Sequence, residues 1–203
     1  MGLLGLAGLL GLAGLLGLAR LGWLAVVCAA LGLFTAFFFR DPPRRIPADP
    51  RIVVSPADGR VVVAGHAPEA NPLGPGATQL SIFLSIFDVH VNRAPIGGRI
   101  TRADYHRGEF LPAFDHKASL RNEQNSVVVE QGATHVAFKQ IAGLIARRIV
   151  FHKRVGDTVE RGERVGLIKF GSRVDLFLPA AARLRVGVGD RVSGGVSVVA
   201  ELP

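Results

Sequence analysis

Cysteine, methionine, tryptophan and tyrosine each occur once in this 203-residue chain, and each scarcity closes off a class of explanation. Cys28 stands alone, so it makes no intrachain disulfide and no thiolate metal site; a reducing, intracellular location is compatible. The histidines are scattered. His66, His106, His116, His135 and His152 have no ligand-like spacing, so no metal is expected and each reads as a surface or loop residue. Acidic side chains are outnumbered, 16 against 24 basic ones, and only four of the basic ones are lysine. The resulting net charge of +8 suits an anionic partner, either membrane or nucleic acid. No nucleic-acid motif accompanies the charge, so lipid is favoured and nucleic acid is not expected. No Lys or Arg precedes the first apolar run, which argues against a cleaved signal peptide. Val27 stands where a lipoprotein site at Cys28 would want a small residue. Sustained helical periodicity is missing after Phe39, which predicts a mainly β soluble part.

What the chain does have begins with apolar residues. Residues 2–19 are three copies of Gly-Leu-Leu-Gly-Leu-Ala, Arg20 interrupts, and Leu21 to Phe39 runs apolar to Arg40. Each run has about the ~20 residues that cross a bilayer as a helix, so residues 1–40 read as a hydrophobic membrane anchor of one or two helices. The glycines of the repeat serve close helix packing or are low-complexity drift. Arg40, Arg44, Arg45 and Arg51 follow at once, which predicts a cell-membrane protein whose soluble domain faces the cytoplasm. Residues 41–51 form a linker rich in Pro and Arg.

From residue 52 to 203 the chain changes to short Val-rich runs punctuated by Gly, Pro and Asp. Ile52–Ser55, Gly59–Gly65, Gln79–Phe87, Val127–Glu130 and His135–Ile141 are expected strands. The last third contains a repeat: Val155-Gly156-Asp157-Thr158-Val159 returns 33 residues later as Val188-Gly189-Asp190-Arg191-Val192, with Gly162 matching Gly195 and Val165 matching Val198. Two such units facing each other predict a barrel-sandwich domain like that of lipoyl and biotinyl carriers.

Between the repeats lies Lys169-Phe170-Gly171-Ser172-Arg173, flanked by strand-like runs. Gly-Ser alone is a common turn. Asp58, in Ser55-Pro56-Ala57-Asp58-Gly59, reads locally as a turn aspartate bonding the backbone. Asp88 and His90, if they lie on a strand, share one face opposite Val89 and Val91. The segments Tyr105 to Phe110 and Lys117 to Glu123 are polar and irregular, lining a pocket or forming a solvated loop.

Together these pieces resemble phosphatidylserine decarboxylase in its compact bacterial and archaeal form. The matching stretches are Phe37-Phe38-Phe39-Arg40-Asp41-Pro42, Ser55-Pro56-Ala57-Asp58-Gly59, Phe87-Asp88-Val89-His90-Val91-Asn92-Arg93, Asn122-Glu123 and Phe170-Gly171-Ser172-Arg173, in the family's order. The resemblance implies a proenzyme that cuts itself between Gly171 and Ser172 into residues 1–171 and 172–203, which stay together as a heterodimer. Ser172 becomes a pyruvoyl group, with no exogenous cofactor and no metal, and the product decarboxylates phosphatidylserine in an anionic membrane to phosphatidylethanolamine. It also implies that Asp58 supports the histidine in cleavage and that His90 is the base in cleavage, the proton donor in turnover, or both. Asp88, Arg93, Asn122 and Glu123 fall to substrate binding. Longer relatives carry a second histidine where this chain has Arg93, and usually Thr where it has Arg173. The alternatives are a membrane-anchored lipoyl-like carrier or adaptor without enzymatic activity, or a purely structural lipid-binding protein. Lys169, the carrier's candidate lysine, lacks the usual flanking methionines.

Overall fold

The computed structural model describes residues 2–18, 21–113, 115, 117–145, 148–169 and 171–203. Arg20, His116 and Phe170, singled out above, lie outside the described residues. The chain divides into two compact units, Met1–Pro42 and Pro43–Pro203.

The first unit is a helical pair, α1 (Gly2–Leu18) and α2 (Gly22–Phe38). Its packing glycine is Gly32, where an added Cβ would meet Leu6, Leu9 and Leu10 at 3.5–3.7 Å. The repeat glycines Gly5, Gly8, Gly11, Gly14 and Gly17 face open space, so it is leucines of the repeat, not these glycines, that meet the second helix. Each helix has 17 residues, roughly 26 Å at 1.5 Å per residue against a hydrocarbon core of ~30 Å. No described helix is long and apolar enough to cross a membrane.

The second unit is mainly β. Its strands are β1 (Ile52–Val54), β2 (Gly59–His66), β3 (Thr78–Leu84), β4 (Val91–Arg93), β5 (Gly98–His106), β6 (Gln124–Gln131), β7 (Thr134–Ile141), β8 (Ile149–Phe151), β9 (Thr158–Val159), β10 (Arg164–Ile168), β11 (Ser172–Leu178), β12 (Arg183–Leu184), β13 (Arg191–Val192) and β14 (Val198–Glu201). One helical turn, α3 (Ala118–Arg121), lies between β5 and β6. An eight-stranded sheet runs β13-β2-β3-β11-β7-β6-β5-β9, and two three-stranded sheets run β1-β14-β12 and β4-β10-β8. Alternation along the strands sends Leu80, Ile82, Val127, Val129, Val136, Phe138, Val174, Leu176 and Leu178 into one core. Burial of each such side chain contributes ~1.5–3 kcal/mol.

This topology is a duplication with one copy inserted into the other. β1-β2-β3-β11-β12-β13-β14 and β4-β5-β6-β7-β8-β9-β10 make the same pairings in the same order, and the copies join where β11 meets β7. Val192 pairs with Gly59 as Val159 pairs with Gly98. Gly156 and Gly189 have φ of 98° and 99°, and Gly162 and Gly195 both have 76°. Asp157 Oδ2 accepts the Arg154 N–H at 2.8 Å, as Asp190 Oδ2 accepts that of Gly187 at 2.8 Å. The two repeat units of the sequence therefore do pack as a pair: an added Cβ on Gly195 would lie 3.6 Å from the Gly162 Cα, and Ile46 covers both glycines.

Three sequence expectations change. β3 stops at Leu84, because Asp88 Oδ2 accepts from the Ser85 N–H (2.8 Å) and Oγ–H (2.7 Å) and closes a turn. Asp88 and His90 therefore do not share a strand face. β5, missed for its polar residues, pairs along its length with β6. The strand around Val174–Leu178 begins at Ser172 and hides charge on its second face. There Arg173 Nε donates to Asp175 Oδ1 at 2.6 Å, and Arg173 Nη2 donates to Ser81 at 2.8 Å. Asp175 Oδ2 also accepts from Gln79 (3.0 Å) and Ser119 (2.6 Å), so both buried charges are satisfied.

Candidate active site

The Gly171-Ser172 pair is not a hairpin turn. β10 belongs to one sheet and β11 to another, so residues 169–171 are the junction through which the chain leaves the inserted copy and returns to the flanking one. Ser172 opens β11, pairs with Leu84, and is fully buried. Its Oγ has no hydrogen-bond partner among the described residues. A buried hydroxyl left unpaired costs ~1–3 kcal/mol, a cost expected where a group is held for chemistry rather than for stability. Gly171 has φ of +67°, a left-handed conformation that disfavours any other residue. Its carbonyl is pressed against Gly143: an added Cβ there would lie 2.2 Å from the Gly171 oxygen. Gly143 was not singled out in the sequence, because a lone Gly after a strand reads as an ordinary loop residue.

His90 is 4% exposed and follows, by two residues, the turn from Ser85 to Asp88. Its carbonyl accepts the Ile168 N–H at 3.3 Å. The stretch from Leu84 to His90 thus starts beside Ser172 and ends beside Ile168, and residues 169–171 span the same gap in return. His90 and Ser172 accordingly lie at opposite ends of two adjoining connections.

A line of buried amides approaches from the β7 side. Asn125 Nδ2 donates to Gln140 Oε1 at 3.0 Å, and Gln140 Nε2 donates to Asn92 Oδ1 at 2.8 Å and to the Val150 carbonyl at 3.3 Å. The Val150 carbonyl can only accept, which fixes the sense of the Gln140 amide and hence of Asn92. Asn92 Nδ2 remains a buried donor with no acceptor among the described residues.

The remaining predicted residues separate into two groups. Asp58 ends the segment before β2 at the same end of the sheet as Ser172, two strands away. Its carboxylate takes a bifurcated contact from Arg44 Nη2 (3.1 and 2.8 Å) and the Gly194 N–H at 2.8 Å. Arg93 is buried and donates Nη1 to the Gly162 carbonyl at 2.9 Å, inside the paired repeat turns. Asn122 spends its amide on its own chain: Nδ2 donates to the carbonyls of Leu111 and Ala142, both at 2.8 Å, and Oδ1 accepts the Leu111 N–H at 3.0 Å. It ties residues 109–123 to the end of β7, where Ala113 approaches Gly143. Glu123 accepts a hydrogen bond from the Tyr105 hydroxyl. Partial burial, and then that bond, push Tyr105 up to about 12.

A surface depression of about 740 Å³ touches none of Ser172, His90 and Asp58. It surrounds Ala133, Thr134 and Pro179, at the start of β7, which corresponds by the duplication to the start of β11.

The phosphatidylserine decarboxylase family profile matches residues 31–200. The chain is similar to proteins named phosphatidylserine decarboxylase proenzyme from three organisms. That of Solibacter usitatus is 51% identical over 185 residues, 89% of this chain and 87% of that one. That of Cupriavidus pinatubonensis is 45% identical over 182 residues, with 89% and 83% covered. That of Geotalea uraniireducens is 45% identical over 186 residues, with 90% and 87% covered.

Proposed function

The chain belongs to the phosphatidylserine decarboxylase family, and we propose that it cuts itself between Gly171 and Ser172 and then decarboxylates phosphatidylserine to phosphatidylethanolamine, releasing CO2. The observation that carries this reading is the buried, unpartnered Ser172 Oγ beside a left-handed Gly171 whose carbonyl is wedged against Gly143.

In the cutting step Ser172 Oγ bonds to the Gly171 carbonyl carbon as the C–N bond breaks, and the freed nitrogen takes the serine proton. The amide becomes an ester. Loss of the Ser172 α-proton then expels the Gly171 carboxylate and leaves a carbon–carbon double bond at residue 172. Water replaces the nitrogen as ammonia, leaving a pyruvoyl group at the head of residues 172–203. Serine is required because one oxygen serves first as nucleophile and then as leaving group. Once formed, that group supplies an electron sink for decarboxylation.

The chain's own residues do the rest. β11 lies between β3 and β7, which supports a noncovalent heterodimer of residues 1–171 and 172–203. His90, buried at the adjoining connection, is the group for proton transfer in cleavage or turnover. Asp58, held by Arg44 and Gly194, carries negative charge at the same sheet end. Asp88 shapes the turn that precedes His90, and Asn122 holds residues 109–123 over the junction; Arg93 and Glu123 complete the surroundings. No exogenous cofactor or metal enters this scheme. The apolar helical pair and the basic residues after it support attachment to the cytoplasmic face of a membrane rich in anionic lipid. The duplicated strands support a carrier-like barrel-sandwich architecture, but Lys169 lies in the junction beside Gly171 rather than on a presented hairpin, which weighs against a carrier role.

The test is the mass of the purified protein. Two fragments, residues 1–171 and a 172–203 piece bearing pyruvate at its head, are expected, with Ser172→Ala staying a single inactive chain. An active wild-type protein that is one intact chain overturns the reading.

A further inference from the structure

The two loops that flank the cut bond both carry exposed large apolar side chains. β11 begins between the ends of β3 and β7: Ser172 pairs with Leu84, and Arg173 pairs with Ile141. With strands ~4.8 Å apart, the loops leaving those two ends start roughly 10 Å from each other, astride Gly171-Ser172. One carries Ile86 and Phe87, 38% and 63% exposed; the other carries Leu144 and Ile145, 56% and 68% exposed. Elsewhere in this β unit large exposed apolar residues stand mostly singly, as Val155 and Val188 do on the repeat turns.

Basic side chains adjoin these loops. Arg147 and Arg148 follow Leu144 and Ile145 in the sequence, and Arg148 is exposed. Lys169 precedes the cut bond. The acid within the first loop, Asp88, turns its carboxylate inward onto Ser85. Apolar tips backed by basic side chains fit an anionic bilayer: the tips enter the interface and the cations meet the headgroups.

We propose that Ile86–Phe87 and Leu144–Ile145 form a membrane-docking rim that lowers the Gly171-Ser172 junction onto an anionic lipid surface. The inference rests on the proposed decarboxylase reading, since only a lipid substrate needs the junction at a headgroup layer. It assigns to the β unit a docking function separate from that of the apolar helices. A lipid head delivered along the bilayer plane then meets the junction without leaving the membrane, so the rim raises effective concentration rather than altering chemistry.

The test uses the full chain. Trp23 is its single tryptophan, so Trp23→Phe gives a silent background into which Ile86→Trp, Ile145→Trp or, as a remote control, Val188→Trp is placed. On phosphatidylcholine–phosphatidylglycerol vesicles containing brominated lipid, the first two are expected to be quenched and Val188→Trp is not. Quenching at all three positions, or at neither rim position, overturns the rim. In parallel, Ile86→Ser with Ile145→Ser should cut itself normally and keep its activity on a short-chain, monomeric phosphatidylserine. Its rate on phosphatidylserine-containing vesicles should fall roughly tenfold. An equal fall on both substrates, or none on vesicles, overturns the proposal. Self-cut wild-type protein that is inactive on the monomeric substrate as well sinks the decarboxylase reading instead, whatever the quenching shows.

Discussion

The flanking copy, residues 52–84 with 172–203, and the inserted copy, residues 91–168, share one strand plan but treat a single position differently. In the inserted copy, β6 returns directly as β7 through the tight turn at Gly132, and Gln131 pairs with Thr134. In the flanking copy the corresponding pair is Leu84 with Ser172, and a whole second copy has been threaded between them. A hairpin opened in this way leaves a strand end that must be re-entered from another sheet, through a left-handed glycine, in the middle of the longest sheet. The bond proposed to break is the one where the duplicated plan is interrupted. The loops around it differ as well. Residues 107–123 and 142–148 of the inserted copy are longer than their counterparts, 67–77 and 179–182, and the longer pair supplies Ala113 and Gly143 next to the Gly171 carbonyl.

If that difference is what makes the junction reactive, Gly143→Ala should have the largest effect. Its methyl cannot coexist with the Gly171 oxygen at 2.2 Å; displacing that carbonyl by about 1 Å should slow cutting by about a hundredfold or more. Denaturing electrophoresis over time reads the uncut chain. The change at the uninterrupted β6–β7 turn, Gly132→Ala, meets open space and should cost only ~1 kcal/mol of stability from its positive φ, with cutting unchanged. Equal cutting by both variants would remove the distinction between the two turns.

Asp58 occupies the place that Gly97 holds in the inserted copy, each directly before the glycine that starts β2 or β5. Asp58→Asn keeps the shape and removes the charge, and should slow self-cutting about a hundredfold. Arg44→Met, which leaves the carboxylate but removes its partner, separates an electrostatic role from a scaffolding one. Should Asp58→Asn cut at the wild-type rate and merely melt earlier, the carboxylate is a brace for Gly194 and nothing more. Gly97→Ala, whose Cβ would stand 3.4 Å from the Arg161 nitrogen, should cut normally.

A third contrast is internal to the core. Asn92 sits in β4 where β1 carries valine, and it heads the amide line through Gln140 to Asn125. Asn92→Val removes the acceptor of one Gln140 hydrogen bond and should lower stability by ~1–3 kcal/mol in chemical denaturation. A neutral result would mean that the valine of the flanking copy is equally accommodated here and that the line is dispensable.

The smallest effect is expected at Tyr105, in the strand that leads to residues 107–123. Its pKa is raised from 10.0 to about 12 by partial burial and then by the bond to Glu123. Between those values the folded chain keeps a proton that the unfolded chain has lost. The contribution is therefore complete below pH ~10 and disappears as pH rises through about 12. The side chain is half-exposed, so solvent screens much of it. An ultraviolet titration reads this residue alone, since the chain has one tyrosine. Tyr105→Phe should flatten the alkaline fall in stability, and an unshifted phenol would refute the assignment.

The sequence by itself determined the helical start, the β character of the remainder and the pairing of the Val155 and Val188 units, and it singled out the bond proposed to be cut. These are properties of local composition and of turns that need Gly and Asp, so they survive without coordinates. Asp58, His90 and Ser172 were legible only as an ordered set, because each taken alone has an ordinary turn or surface reading. The tertiary structure decided the rest. It extended a 33-residue repeat into a full duplication that loops of unequal length had hidden from any fixed offset. It placed Asp88 in a turn closed on Ser85 rather than on a strand with His90, gave Arg93 and Asn122 hydrogen bonds to backbone carbonyls, and paired Arg173 with Asp175 inside an apparently apolar strand. It also found Gly143, whose importance is only that another residue's carbonyl, 28 positions later in the chain, needs the space a side chain would fill. Such close approach between distant segments leaves no trace in local pattern, because the constraint belongs to the pair and not to either stretch.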